Sequence, residues 1–228
     1  MKYVIIGNST AAIGCIEAIR ENDNAGEIIV ISNESHHTYG RPLISYLLCG
    51  KTTEEKMKYR PDNFYTVNNV TTMFGKEAIK IDAKKKEVLL NDGVNVSYDK
   101  LLVATGSSPF IPPMKGLDNV EKKFTFMTLD DAKNLEAAIT ADSKVLIIGA
   151  GLIGLKCAEG IYKRVNKITV VDMANRILPS ILDEEGSEIV MTHIQNCGID
   201  FILSDSVDEF AKNKAFLKSG KVIEYDVV

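Results

Sequence analysis

The run Val145-Leu146-Ile147-Ile148-Gly149-Ala150-Gly151-Leu152-Ile153-Gly154 carries the most specific chemistry in the chain, together with a second apolar run, Ile168-Thr169-Val170-Val171, that closes on Asp172. The order is strand, glycine turn, helix, strand, acid, and each part has a use in holding a dinucleotide. Gly149 permits a tight turn off the strand, Gly151 has no side chain to keep a pyrophosphate from the backbone, and Gly154 lets the helix lie close to the sheet. N–H groups at the head of that helix face the phosphates, with the helix dipole behind them. Asp172, about 20 residues on, can accept both hydroxyls of a ribose. A glycine triplet alone would equally fit an ordinary strand-to-helix connection. Here the strand, the helix and the acid agree.

A looser copy opens the chain. Lys2 to Ile6 reads as a short buried strand, Gly7-Asn8-Ser9-Thr10-Ala11-Ala12 as a second turn, and a helix follows to about Arg20. Ser9 stands where the middle glycine would be and Ala12 where the last would be. A serine still permits fairly close approach, and its hydroxyl can itself meet a phosphate. The next strand, Ile28 to Ile31, leaves through Ser32-Asn33-Glu34, which again offers a carboxylate at the ribose end. Two such turns suggest two cofactors. In the loop Thr38-Tyr39-Gly40-Arg41-Pro42-Leu43, Arg41 is either a bidentate clamp for a pyrophosphate or a surface residue. Lys100 to Val103 is a buried strand ending in Ala104-Thr105-Gly106-Ser107-Ser108-Pro109, small residues that suit either backbone approach to a ligand or a tight turn.

These elements sit in a chain of 228 residues, 45% hydrophobic and 25% charged, the composition of an ordinary soluble protein with room for two modest domains. A net charge of -4 gives no reason to expect a nucleic-acid partner, and Lys84-Lys85-Lys86 reads as a solvated turn. No apolar run is long enough to cross a bilayer, and the opening core strand leaves no room for a signal peptide. Cys15, Cys49, Cys157 and Cys197 are scattered, with no metal-ligand spacing among them and the three histidines. The simplest setting is a reduced, cytoplasmic one without a metal. Cys15, Cys157 and Cys197 fall in helical patterns and are expected to be small buried hydrophobes.

Residues 73 to 100 alternate apolar and polar around two turns, as a small antiparallel meander does. Pro109, Pro112, Pro113 and Gly116 mark a stiff crossover. Thr128-Leu129-Asp130-Asp131 has the form of a capping box for a helix to about Thr140. Beyond the second dinucleotide unit lie a helix at about 183 to 196, a strand at Asp200 to Leu203 and a hairpin turning at Ser219-Gly220. The predicted fold is α/β: two Rossmann-like three-layer βαβ domains, 1–110 and 111–228, each with a small antiparallel β-meander.

Taken together, Gly7 with Ala11 and Ala12, Tyr39-Gly40-Arg41-Pro42, Ala104-Thr105-Gly106-Ser107-Ser108-Pro109, the Gly149 to Gly154 turn, and Asp172 followed by Arg176-Ile177-Leu178-Pro179 resemble the FAD-dependent pyridine nucleotide-disulphide oxidoreductases. Within that family the likeness is to the branch of NADH-dependent rubredoxin and ferredoxin reductases, NADH oxidases and nitrite reductase large subunits. The resemblance implies an FAD-binding domain over 1–110. Its phosphates would lie over Gly7, Ser9, Ala11 and Ala12, its ribose near Ser32 and Glu34, and Arg41 and Pro42 along the flavin, with Ala104, Thr105 and Gly106 packed against it. It implies an NAD(H)-binding domain over 111–228, with NADH on Gly149, Gly151, Leu152, Ile153 and Gly154 and its ribose on Asp172. The implied reaction is hydride transfer from NADH to flavin and onward to a small electron-transfer protein such as rubredoxin or ferredoxin, or to another acceptor. That step requires no side-chain acid or base, so no catalytic residue is assigned.

Three departures accompany the resemblance. Disulphide- and peroxide-reducing branches carry a redox cysteine close to the position of Pro42, whereas Cys49 lies seven residues further on and is expected to be a packing residue. Lys156 stands where a glutamate is often found near nicotinamide and flavin; it is either a cation favouring an anionic reduced flavin or an exposed helical lysine. Family members also continue past residue 228 into a segment that returns to the FAD domain and an interface domain, so the chain is expected to be the larger part of such an enzyme. The competing reading is a non-catalytic dinucleotide-binding module that binds NAD(H) but retains FAD poorly. Oligomeric state stays open.

Overall fold

The computed structural model describes residues 1–228. The chain runs through β1 (Lys2–Ile6), α1 (Thr10–Asn22), β2 (Glu27–Ser32), a 3-10 turn (Arg41–Leu43) leading into α2 (Ile44–Leu48), α3 (Glu54–Met57), α4 (Phe64–Val67), β3 (Val70–Phe74), β4 (Ala78–Asp82), β5 (Glu87–Leu90), β6 (Asn95–Ser97) and β7 (Lys100–Val103). After a second 3-10 turn (Leu117–Asn119) come α5 (Leu129–Ala138), β8 (Lys144–Ile148), α6 (Leu152–Ile161), β9 (Lys167–Val171), α7 (Glu184–Gln195), β10 (Ile199–Ile202), β11 (Val207–Ala211), β12 (Lys214–Leu217) and β13 (Val222–Glu224). Two compact units result, Met1–Gly40 with Glu54–Ser108, and Arg41–Thr53 with Pro109–Val228. Residues 41–53, which the sequence places ahead of a break at 110, pack with the second unit.

In the first unit a parallel sheet has the order β3-β2-β1-β7. Its central strands are apolar on both faces, because both faces are covered. Ile5, Ile28 and Val30 meet Ala12, Ile13 and Ile16 of α1 and Phe64 and Tyr65 of α4. Val4, Ile6, Ile29 and Ile31 meet Val88, Leu90 and Val96 of the antiparallel sheet β4-β5-β6. A one-residue slip of either strand would exchange the two sets, so this alternation fixes the register. Helix α1 is secured at its far end by Arg20, which donates to Asp23 O and Gly26 O and reaches Asn68 O at 2.6 Å and Asn69 O at 3.1 Å. The meander covers 78–97 rather than 73–100: Met73 and Phe74 belong to β3 of the parallel sheet, and Lys100 opens β7. The lysine run forms the exposed β4–β5 turn, where Asp82 Oδ1 accepts from the N–H groups of Lys84 and Lys85.

The second unit repeats the plan with the parallel order β10-β9-β8. Val227 extends it beside β8 through a parallel bridge to Val145, and Leu146 N donates to Val227 O at 2.9 Å. Leu146 and Val171 pack with Val207, Phe210, Ala215, Leu217 and Tyr225 on the side of the meander β11-β12-β13. Helix α6 packs along β8 and buries Leu155, Ala158 and Ile161. Helix α5 begins with a complete capping box: Thr128 Oγ1 accepts from Asp131 N, and Asp131 Oδ2 accepts from Thr128 N, both at 3.0 Å.

Cys15 is half-buried against the α1 core and Cys157 is buried, in keeping with their helical pattern. Cys197 is a correction. It lies beyond Gln195, the last residue of α7, in an exposed turn, because the helix stops short of the apolar pattern and a turn at Gly198 (φ +86°) takes over. Burial pushes the Cys157 thiol from 9.0 up to about 12. Its contribution to stability is therefore full below pH 9, the thiol's unfolded value, and declines as pH rises towards 12. At neutral pH a thiol reagent is expected to label Cys197 within minutes and Cys157 only after denaturation, as peptide mapping would show. Rapid labelling of Cys157 in the folded protein would contradict this packing.

Candidate functional site

In the first unit the candidate residues converge where β1, β2 and β7 end. This is the point at which the strand order reverses, since β2 and β3 lie to one side of β1 and β7 to the other. In open parallel sheets such a switch point leaves a crevice at the carboxyl ends of the strands. Gly7, at φ +119°, donates its N–H to Ile31 O at 2.8 Å, and a Cβ on it would lie 2.1 Å from Ala104 O. The Ala104 backbone therefore fills the space over Gly7, and Ala104 N in turn donates to Ile6 O at 2.7 Å. Thr105 and Gly106 run on exposed. Ser9 is the N-cap of α1 with extended backbone, yet its hydroxyl makes no capping bond; Ala11 is exposed and Ala12 is buried beneath it. Ser32 is buried, with Oγ accepting from Glu34 N, while Glu34 Oε2 accepts from the Tyr39 hydroxyl at 2.6 Å.

Behind this turn is a network that sequence reasoning missed. Tyr65 donates its hydroxyl to Asn8 Oδ1 at 2.6 Å and accepts from Thr38 N, while Asn8 Nδ2 donates to His36 O. Burial pushes the Tyr65 phenol up, which keeps it a donor. His37 packs edge-on to Tyr65, and its Nδ1 lies 3.1 Å from Thr38 O, within reach to donate to that carbonyl. His37 Nε2 and Thr38 Oγ1 are buried with no hydrogen-bond partner, the kind of atoms that a water or a ligand's polar group completes. Asn8 lies inside the glycine-type turn, but Tyr65 is too distant in sequence to have signalled the contact.

The second unit carries the sharper turn. A Cβ on Gly149 (φ +115°) or on Gly151 would meet nothing within 4 Å, so both open to space. A Cβ on Gly154 would lie 2.0 Å from Gly149 O; the helix leans on the turn itself. Leu152 and Ile153 are more than half exposed or close to it, at 57% and 50%. The Ala150 peptide is held from both sides: its N–H donates to Asp172 Oδ2 at 2.6 Å, and its carbonyl accepts from Leu178 N at 3.0 Å. Asp172 Oδ1 accepts from Ala174 N at 2.7 Å. Leu178 reaches Ala150 by adopting a left-handed backbone, φ +49°, uncommon for a branched side chain. The segment Arg176-Ile177-Leu178-Pro179 is thus the second half of the brace on the turn.

Arg41 and Pro42 belong to the second unit, where Arg41 Nη1 donates to Met127 O at 3.2 Å. Lys156 is neither exposed nor unengaged: its side chain is 30% exposed, its ammonium pairs with Glu159 and lies over the Tyr46 ring. Cys49 is half-buried, its thiol 3.5 Å from Tyr46 O.

One contrast bears on cofactor fit. Of the four helices with ten or more residues, α5 and α7 have side-chain N-caps, from Thr128 and Asp183, whereas α1 and α6 have none. The two uncapped helices are the two that follow the glycine turns, so their first N–H groups are left for an outside acceptor. With the open space over Gly149 and Gly151, that is the form a pyrophosphate would fit.

The comparisons with known proteins agree. The family model described as pyridine nucleotide-disulphide oxidoreductase matches residues 1–228. The chain is 33% identical over its whole length to the NADH-dependent phenylglyoxylate dehydrogenase subunit epsilon of Aromatoleum evansii, covering 55% of that protein, and 28% identical to the rubredoxin-NAD(+) reductase of Pseudomonas putida, covering 60%. It superposes along its full length on 57% of a chain in the covalent putidaredoxin reductase-putidaredoxin complex, with a TM-score of 0.89 and 24% identity, which bears on the fold. The chain thus spans little more than half the length of these relatives. No helix is long and apolar enough to cross a membrane. With the family model matched from end to end and both turns in place, the chain belongs to the pyridine nucleotide-disulphide oxidoreductases.

Proposed function

We propose that the chain is the two-nucleotide part of a flavin-dependent NADH oxidoreductase that delivers electrons to a small redox protein or another acceptor. The observation that carries the reading is the pair of uncapped helices, α1 and α6, each opening behind a glycine turn at the carboxyl end of a parallel strand. Family membership supports FAD at the first turn and NAD(H) at the second. In this reading Gly7, Ser9, Ala11 and Ala12 take the FAD phosphates, Ser32 and Glu34 the ribose end, and Ala104, Thr105 and Gly106 the adjoining wall. FAD, when bound, supplies an acceptor for the NADH hydride and a donor for the next partner. A redox-protein acceptor is supported by the name of the rubredoxin reductase relative.

Gly151, Leu152, Ile153 and Gly154 offer backbone N–H groups to the NADH pyrophosphate, and Gly149, whose own N–H goes to Val171 O at 2.8 Å, leaves the space for it. Asp172 has a double duty. Each carboxylate oxygen already accepts one backbone N–H and keeps a second lone pair for a ribose hydroxyl. A 2'-phosphate would set a second anion against it, which favours NADH over NADPH.

Anaerobic addition of NADH to the FAD-loaded protein is expected to bleach the flavin bands, and rubredoxin or a dye to restore them. A protein that stays colourless with FAD yet binds NADH would replace this reading with the nucleotide-binding module. In fluorescence titrations NADH is expected to bind at least about tenfold more tightly than NADPH, a gap of about 1.4 kcal/mol; equal affinities would contradict the assignment of Asp172. Asp172→Ala is expected to lose the preference and about 1–3 kcal/mol of stability in urea melts, because two N–H groups lose their acceptor. Gly154→Ala would press a methyl group onto Gly149 O and is expected to remove NADH binding while FAD content is kept.

A further inference from the structure

Helix α2 has five residues, too few to hold their shape by their own hydrogen bonds, and no side chain caps its start. It is held from outside. Ser45 and Leu48 are buried, and a Cβ on Gly160 of α6 would lie 3.2 Å from both Leu48 Cβ and Ser45 O, so α2 sits closely in the notch that Gly160 leaves on α6. Leu48 O, a carbonyl of the last turn, accepts from Arg164 Nη1 at 2.9 Å, and the same nitrogen donates to Glu136 of α5 at 2.7 Å.

A second set of contacts lies nearer solvent. Tyr46 is 38% exposed, with Lys156 Nζ 4.4 Å and Lys51 Nζ 5.5 Å from its ring centroid. Glu159 pairs with both ammonium groups, Lys51 at 3.4 Å and Lys156 more closely. Lys156 foremost holds the Glu159 carboxyl below the usual range, although partial burial works the other way. One carboxylate and one aromatic face thus bind two cations drawn from α6 and from the end of α2. Lys156 follows Gly154 by two residues, within the first turns of the helix that leans on Gly149.

We infer that Tyr46 and Lys156 are positioning residues: with Glu159 and Lys51 they latch α2 to α6, so that Arg41 and Pro42 move with the glycine turn that takes NADH. The charge of Lys156 is spent inside this cluster and is not a cation for the flavin. The kinetic consequence rests on the proposed NADH-to-flavin reaction; the latch itself is read without it.

Hydrogen exchange of the Cys49, Gly50 and Lys51 amides, which donate to Ser45, Leu47 and Tyr46 carbonyls, reports the opening of α2. Tyr46→Leu and Lys156→Met are expected to exchange about tenfold faster there, the scale of a lost cation–π contact in a partly desolvated site. Tyr46→Phe is expected to restore wild-type protection, since the ring face rather than the hydroxyl meets the ammonium groups. In FAD-loaded protein the same two variants are expected to slow flavin reduction at saturating NADH several-fold, with the flavin potential unmoved. Wild-type exchange in both variants would overturn the latch. A moved potential in Lys156→Met, with Tyr46→Leu reacting at the wild-type rate, would overturn it in favour of a direct charge effect on the flavin. If NADH does not reduce the wild-type flavin, the proposed function fails, and the exchange rates still decide the latch.

Discussion

Helix α6 can stand where it does only because position 154 has no side chain: the space a Cβ would take is occupied by the carbonyl of Gly149. That contact fixes the angle between helix and turn, and the rest of the second site follows from it. Ala150, between the two glycines, is completely buried, so its peptide needs partners inside the protein. Asp172 and Leu178 supply them from the segment after β9, and Leu178 does so at the expense of a left-handed backbone. A strained residue that persists in a packed structure is one that its surroundings over-determine. Here the surroundings are the turn itself, and the outcome is a rigid loop beneath an uncapped helix head.

The first unit reaches a similar end by different contacts. Its turn has one glycine, Gly7, and that glycine is needed because Ala104 O lies over it, so the end of β7 and the turn after β1 are a single packed piece. Ser9 leaves its hydroxyl out of the helix cap, and the Asn8–Tyr65–Thr38 network braces the turn from behind. The two units therefore share a plan, an open helix head over a buried brace, without sharing the residues that build it. In the first unit, long-range packing thus braces the turn where the second relies on its glycines.

Much of this was legible in the chain. Continuous apolar runs in β1, β2, β8 and β9 and the capping box at Thr128 are local signals, and they specify strands buried on both faces and a helix start. What was not legible depends on partners far away in sequence. Nothing in Arg41–Thr53 announces that Leu48 fits a notch at Gly160, so residues 41–53 read as part of the first unit. Asn8 gives no hint of Tyr65, nor Asp172 of its bond to Ala150. Cys197 failed for a local reason: an apolar pattern runs past the end of α7, and an exposed turn takes over at Gly198 (φ +86°).

The proposed function requires two separate dinucleotide sites in one chain, one behind Gly7 and one behind Gly149. Equilibrium dialysis of FAD and NAD+ against the same protein, alone and together, tests it most directly. One FAD and one NAD+ per chain are expected, bound at once, neither displacing the other. Mutual displacement, or a single nucleotide per chain whichever is offered, would contradict it.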